Sequence, residues 1–228
     1  MNGIVIVNKP RGITSYDVIR FLKRTFRLRE KIGHAGTLDP LASGVLIVCI
    51  GRATGLSSGF MKMEKEYEAR LLLGVTTDTD DTDGTVLEER PVDVGEADIR
   101  KVVNGFTGEI EQVPPVVSAI KHKGSPLYKL HRKGVAVAPI PRKVFIKKIE
   151  ILNIDMPYVD FRVTCSKGTY IRALCRDIGN QLGCGGTQTE LKRIRVGDYR
   201  VEESFTLQDI EKKGIEGCII PVWKTNCR

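Results

Sequence analysis

Residues 33–50 read Gly-His-Ala-Gly-Thr-Leu-Asp-Pro-Leu-Ala-Ser-Gly-Val-Leu-Ile-Val-Cys-Ile. The first part is rich in turn residues; the last six residues are an unbroken apolar run that reads as a buried strand. Between them stands one carboxylate, Asp39, with no acidic neighbour to share a proton and no metal-ligand spacing around it. Pro40 removes a backbone donor and pushes Asp39 out of the helical region. The glycines at 33, 36 and 44 allow tight turns and close approach of a partner. A stiff loop presenting one carboxylate at the edge of a sheet suits a nucleophile or a general base. The same residue type also serves as a simple cap in a turn of this kind.

Working outward, Gly3–Val7 alternates into a short strand, and Ser15 is placed to cap a helix over 16–26 with Val18, Leu22 and Phe26 on one face. Residues 27–44 read as loop, 65–73 as a strand, and 76–84 as a polar turn. A helix is expected over 96–105, a strand over 116–121 after Val113-Pro114-Pro115, and a short helix over 126–133. Strands 143–153 and 158–164 pair. Residues 169–182 form a helix with Ile171, Leu174, Cys175, Ile178 and Leu182 inward, Tyr170 and Arg172 outward, and Gly183 as the stop. Strands over 187–195 and 198–203 complete the pattern. Strands and helices do not alternate strictly, so the expected class is α/β of the α+β type, a mixed and mostly antiparallel sheet flanked by helices.

Two hundred and twenty-eight residues with 41% hydrophobic content can bury one substantial core. The net charge of +8 favours a polyanionic partner. Its distribution says more than its total. Residues 121–149 carry Lys121, Lys123, Lys129, Arg132, Lys133, Arg142, Lys143, Lys147 and Lys148 and no acid, while 76–98 carry nine acids against Arg90 alone. A stretch that long without an acid is best explained by phosphate contact. The six cysteines form no Cys-x-x-Cys pair and the three histidines fall in no zinc spacing, so no metal site is expected and a reducing cytoplasm is the simple reading. No apolar run approaches membrane-spanning length, so no membrane association is expected. The tract from Asp78 to Gly84 fails as a calcium loop because Thr79 and Arg90 occupy ligand positions. Gly183-Cys184-Gly185-Gly186 lacks the following Lys-Ser or Lys-Thr of a phosphate-binding loop.

Several blocks, taken in order, closely resemble the TruB family of tRNA pseudouridine synthases. They are Asn8-Lys9-Pro10-Arg11-Gly12-Ile13-Thr14-Ser15, the Asp39 loop, Glu66-Tyr67-Glu68 with Gly74 and Thr77-Asp78-Thr79-Asp80 through Gly84, Gln112-Val113-Pro114-Pro115, and Ser166-Lys167-Gly168-Thr169-Tyr170-Ile171-Arg172. The resemblance covers nearly all of residues 3–200. It implies the pseudouridine synthase fold, with a bent central sheet and the active site in its cleft. It implies one catalytic domain over 1–228 with a basic RNA-clamping insertion at about 121–149, and leaves no room for a C-terminal PUA-like domain.

The implied reaction isomerises uridine 55 in the T-loop of tRNA: the N1–C1′ bond breaks, the base turns, and C5 bonds to C1′, with no cofactor. The resemblance makes Asp39 the nucleophile, Arg172 its cationic partner, and Tyr67 the ring stacked on the flipped base. His34 would keep the target extrahelical, and Tyr170 and Leu191 would line the uracil pocket. Lys9 would shape the floor, and Lys121, Lys123, Lys129, Arg132 and Lys133 would clamp the T-arm stem-loop. A cytoplasmic monomer with no obligate protein partner follows from the same likeness. The alternatives are a non-catalytic tRNA-binding or tRNA-folding protein and a guide-dependent synthase.

Overall fold

The computed structural model describes residues 1–225 except Ala119, Lys123, Arg132 and Ala136, and for Lys121, His122, Pro126, Tyr128 and His131 it describes the backbone alone. In chain order the strands are β1 (Gly3–Lys9), β2 (Ile32–Ala35), β3 (Ala42–Ile50), β4 (Lys65–Leu73), β5 (Val75–Thr77), β6 (Val86–Glu89), β7 (Gly108–Gln112), β8 (Lys121–His122), β9 (Ser125–Pro126), β10 (Arg142–Asp155), β11 (Tyr158–Cys165), β12 (Gly186–Val196), β13 (Tyr199–Arg200) and β14 (Ile220–Pro221). The α-helices are α1 (Ser15–Thr25), α2 (Ser57–Lys62), α3 (Glu96–Gly105), α4 (Leu127–His131), α5 (Ile171–Gln181) and α6 (Leu207–Lys213).

The chain divides into two compact units, Met1–Glu68 with Leu191–Arg228, and Ala69–Glu190. The long strands β4 and β12 each carry the backbone from one unit into the other.

In the first unit the strand order is β14-β1-β3-β12, with β2 paired to β3. β1 runs antiparallel to β3 from Gly3↔Ile50 to Lys9↔Gly44, and β12 joins β3 in parallel with Leu191 opposite Ala42. Both faces of β1 and β3 are covered, which is why their sequences are apolar without alternation. Ile4, Ile6, Val45, Ile47 and Cys49 pack with Phe60 of α2 on one side. Val5, Val7, Leu46, Val48 and Ile50 pack with Val18 and Leu22 of α1 and Ile210 of α6 on the other.

In the second unit the order is β12-β4-β11-β10-β7, with α3 and α5 supplying buried Ile99, Val103, Leu174 and Ile178. A Cβ at Gly179 of α5 would lie 2.2 Å from the carbonyl carbon of Gly185, so only glycine lets the helix approach the chain entering β12.

The mixed, mostly antiparallel sheet is as expected, but several elements differ from the local reading. The loop expected over 27–44 contains β2, whose half-buried Ile32, Gly33 and His34 give no apolar period. The helix cap is Thr14, not Ser15: the Thr14 hydroxyl accepts from the Asp17 N–H at 3.0 Å while the Asp17 carboxylate accepts from the Thr14 N–H at 2.8 Å. The strand expected over 116–121 is reduced to the two residues of β8. Residues 198–203 give only β13 followed by a 3₁₀ turn. β6, β7 and α6 fall where no element was expected; α6 begins with a second capping box, Thr206 and Asp209.

Candidate active site

In the first unit, Asp39 stands half-buried where the chain turns from β2 into β3, and its carbonyl closes that turn by accepting from the Ala42 N–H at 3.0 Å. Three buried polar residues fix the loop. The Lys9 ammonium has no exposed surface and donates to the carbonyls of Ile13 (2.7 Å), Pro10 (2.9 Å) and Pro40 (3.5 Å). Burial lowers its pKa to about 8, against the opposing pull of the Asp39 carboxylate. The Ser15 hydroxyl donates to the Leu38 carbonyl and accepts from the Leu38 N–H, both at 2.9 Å, so the first turn of α1 grips the residue before Asp39. From the other side, the buried Arg193 guanidinium donates to the carbonyls of Gly36 and Val45, each at 2.8 Å.

Gly44 explains the glycine that ends the loop: it has φ of +101°, and a Cβ there would meet the Arg193 carbonyl oxygen at 2.2 Å. Leu191, opposite Ala42, and Arg193, opposite Gly44, place β12 directly beside the Asp39 turn. His34, on β2, faces Val48 across the strand pair and has a buried Nδ1 with no hydrogen-bond partner. Burial, and then the nearby Arg193 charge, lower its pKa, which favours the neutral imidazole. Tyr67 is buried on β4, and strand alternation places it opposite in face to Glu66 and Glu68, as expected. Glu66 and Glu64 both bind Arg195 at 2.8 Å.

In the second unit, Arg172 and Tyr170 hold the start of α5. Arg172 does not face outward, as helical spacing suggested: it is 5% exposed. Its guanidinium donates to the Thr79 carbonyl (2.9 Å) and the Val117 carbonyl (3.0 Å) and lies 3.2 Å from the Asp81 carboxylate. One turn on, Arg176 repeats the arrangement with Asp80 at 2.7 Å and the Val113 carbonyl at 2.8 Å. The acidic turn that failed as a calcium loop is therefore an arginine cradle. Asp81 is braced by the Thr79 hydroxyl at 2.6 Å and the Asp83 N–H at 3.1 Å. Tyr170 is the helix cap, and its backbone N–H and carbonyl are both satisfied by the side-chain amide of buried Gln112, at 2.8 and 3.1 Å.

Of the basic segment, Lys129 on α4 and Lys133 just after it are exposed. Lys123 and Arg132 lie outside the described residues, and only the backbone of Lys121, in β8, is described.

Local patterns did not single out Ser15, Arg193, Gln112, Asp81 or Arg176 for these roles. Ser15, Asp81 and Gln112 did stand in the blocks that resemble the family, whereas Arg176 and Arg193 lay outside them.

Comparison with known proteins places the chain among known families. The profile described as "TruB family pseudouridylate synthase (N terminal domain)" matches residues 23–171, and "tRNA pseudouridylate synthase B C-terminal domain" matches 172–216. Proteins named tRNA pseudouridine synthase B from Clostridium kluyveri and Clostridium tetani are 50% and 49% identical over 225 residues, covering 98% of this chain and 77% and 78% of theirs. Among solved structures, a Cbf5-Nop10-Gar1 complex contains a chain with TM-score 0.76 and 33% identity. An H/ACA RNP bound to a substrate RNA containing 2'-deoxyuridine contains one with TM-score 0.72 and 31% identity. Each structural match covers 96% of this chain, which spans about 60% of the longer chain matched.

The fold and these matches define a pseudouridine synthase, an isomerase that moves a glycosidic bond within one nucleotide. Within that class, the chain belongs to the TruB family.

Proposed function

We propose that the protein converts uridine 55 in the T-loop of tRNA to pseudouridine, with Asp39 as the nucleophile. The observation that carries this reading is the clamping of the Asp39 loop from both sides by Lys9, Ser15 and Arg193. Such a loop holds one carboxylate in a fixed place with little reorganisation when a sugar arrives. The names of the relatives at 49–50% identity supply tRNA as the substrate.

In this reading the Asp39 carboxylate attacks or stabilises C1′ as the N1–C1′ bond breaks. The uracil turns, C5 bonds to C1′, and the C5 proton leaves while N1 gains one. Tyr67 stacks on the base with its hydroxyl near that proton. Tyr170 and Leu191 are assigned to uracil binding, and His34 to support of the extruded nucleotide. Extrusion costs a few kcal/mol, which these contacts offset. Arg172, whose guanidinium is held by Asp81, is the cation that the family likeness assigns to the reaction alongside Asp39. Residues 1–228 act as one catalytic domain, and the basic stretch at about 121–149 clamps the T-arm stem-loop. We propose a cytoplasmic, monomeric enzyme. Identity of 50% to the bacterial synthases against 33% to the Cbf5 chain favours action without a guide RNA.

The test is tritium release from tRNA transcripts labelled at uridine C5, with the product position mapped. Wild type is expected to release tritium and leave pseudouridine at 55, and Asp39→Ala to fall to background while still binding tRNA. Tight binding by wild type with no release would leave only a tRNA-binding role. Release from another position would overturn the site assignment.

A further inference from the structure

Resting on the tRNA reading above, we propose that the outer face of α1 and the turn after it form a second RNA-binding track, a row of phosphate contacts leading away from the catalytic loop. The helix buries Val18, Ile19 and Leu22. At 3.6 residues per turn, Arg20 and Arg24 fall on the opposite face and Tyr16 and Lys23 on its flank, and all four are exposed. Arg27, Arg29 and Lys31 follow in the turn, also exposed.

Two acids lie in this stretch, and both are engaged: Asp17 by Thr14 and Arg20, and Glu30 by the N-terminal amine at 2.6 Å. Among the described residues, no acid forms an ion pair with Lys23, Arg24, Arg27, Arg29 or Lys31, and all five are exposed. At the catalytic end, Tyr16 is 64% exposed and adjoins Ser15, the residue that grips Leu38 beside Asp39. The Arg20 guanidinium sits 5.9 Å from the centre of the Tyr16 ring. An exposed ring interleaved with cations is the surface that unstacked bases and phosphates take together. Eleven residues of helix give a track of about 16 Å.

Arg27 is the more telling residue. The Leu28 N–H closes the helix onto the Lys23 carbonyl at 3.2 Å, which places Arg27 at the position where helices ordinarily use glycine. Its φ is +49°, a conformation disfavoured for any residue with a Cβ. The helix dipole explains why Lys23 and Arg24 are tolerated in the last turn. It does not explain an arginine kept where glycine would be more stable. Strain retained at one exposed residue points to function.

The experiment measures the affinity of a full-length, unmodified tRNA transcript across a salt series for the triple variant Lys23→Ala, Arg24→Ala, Arg27→Gly. A control triple, Lys101→Ala, Lys212→Ala, Lys224→Ala, removes the same charge elsewhere. The track predicts at least tenfold weaker binding at low salt and a log–log salt slope shallower by about two. The loss should appear in KM while the single-turnover rate at saturating tRNA stays within about threefold. Arg27→Gly alone should raise the thermal midpoint while weakening binding, a pair of opposite signs that a structural role does not produce.

An unchanged slope, or one matching the control triple, overturns the proposal. So does binding to anionic lipid vesicles that the variant abolishes while tRNA affinity is intact. If wild type forms no pseudouridine in tRNA, the substrate reading fails by itself; wild-type activity with an unaffected triple variant sinks only the track.

Discussion

Lys9 carries an ammonium group with no exposed surface, satisfied by three carbonyls and a nearby carboxylate. Burial favours the neutral amine and Asp39 favours the charged form; burial is the larger influence, and the pKa falls to about 8. Lysine-selective NMR should therefore show one ammonium titrating near pH 8. In Asp39→Asn that titration should move lower still, because the opposing charge is gone; a midpoint that stays put or rises refutes the coupling. Arg193 makes the complementary case. Replacing it with alanine strands the carbonyls of Gly36 and Val45 and opens a cavity, a loss of about 3 kcal/mol in urea unfolding. A loss under 1 kcal/mol would mean the loop holds itself.

α1 separates two adjacent hydroxyls by role. Thr14 caps the helix and faces solvent, whereas Ser15 is buried and bonds both backbone groups of Leu38. Thr14→Ala should cost about 1 kcal/mol of stability with turnover nearly unchanged. Ser15→Ala should lower the single-turnover rate at saturating tRNA at least tenfold, since it frees the loop that carries Asp39. Equal effects in both assays for the two variants would remove the distinction. The sequence placed the cap one residue late because both residues are good capping types, and only the geometry of the entering chain chooses between them. Helices α1, α3 and α5 and strands β1, β3, β4, β10 and β11 were legible from their apolar spacing. β2, β6 and β7 were not, because each is half-buried or exposed and held by ladder bonds that leave no mark on composition.

For the molecule as a whole, the uneven placement of its +8 charge sets how it meets an anion. Lys129 and Lys133 are described, exposed members of the acid-free stretch, as are Arg142, Lys143, Lys147 and Lys148 on β10. Replacing Lys129 and Lys133 with alanine should flatten the salt dependence of tRNA affinity by about 1.5 in log–log slope, with modest loss of rate once tRNA saturates. An unchanged slope would place the phosphate contacts elsewhere.

Sequence alone determined the class of fold, the family blocks and the residue types at the site, because apolar period and short motifs are written within a few neighbouring residues. Only the tertiary structure decided which polar residues are buried and what they hold. Arg172 meets the carbonyl of Thr79 across 93 positions, and Arg193 meets that of Val45 across 148. An outward helical position and a buried cradle look alike in sequence; the difference lies in a partner contributed by a distant part of the chain.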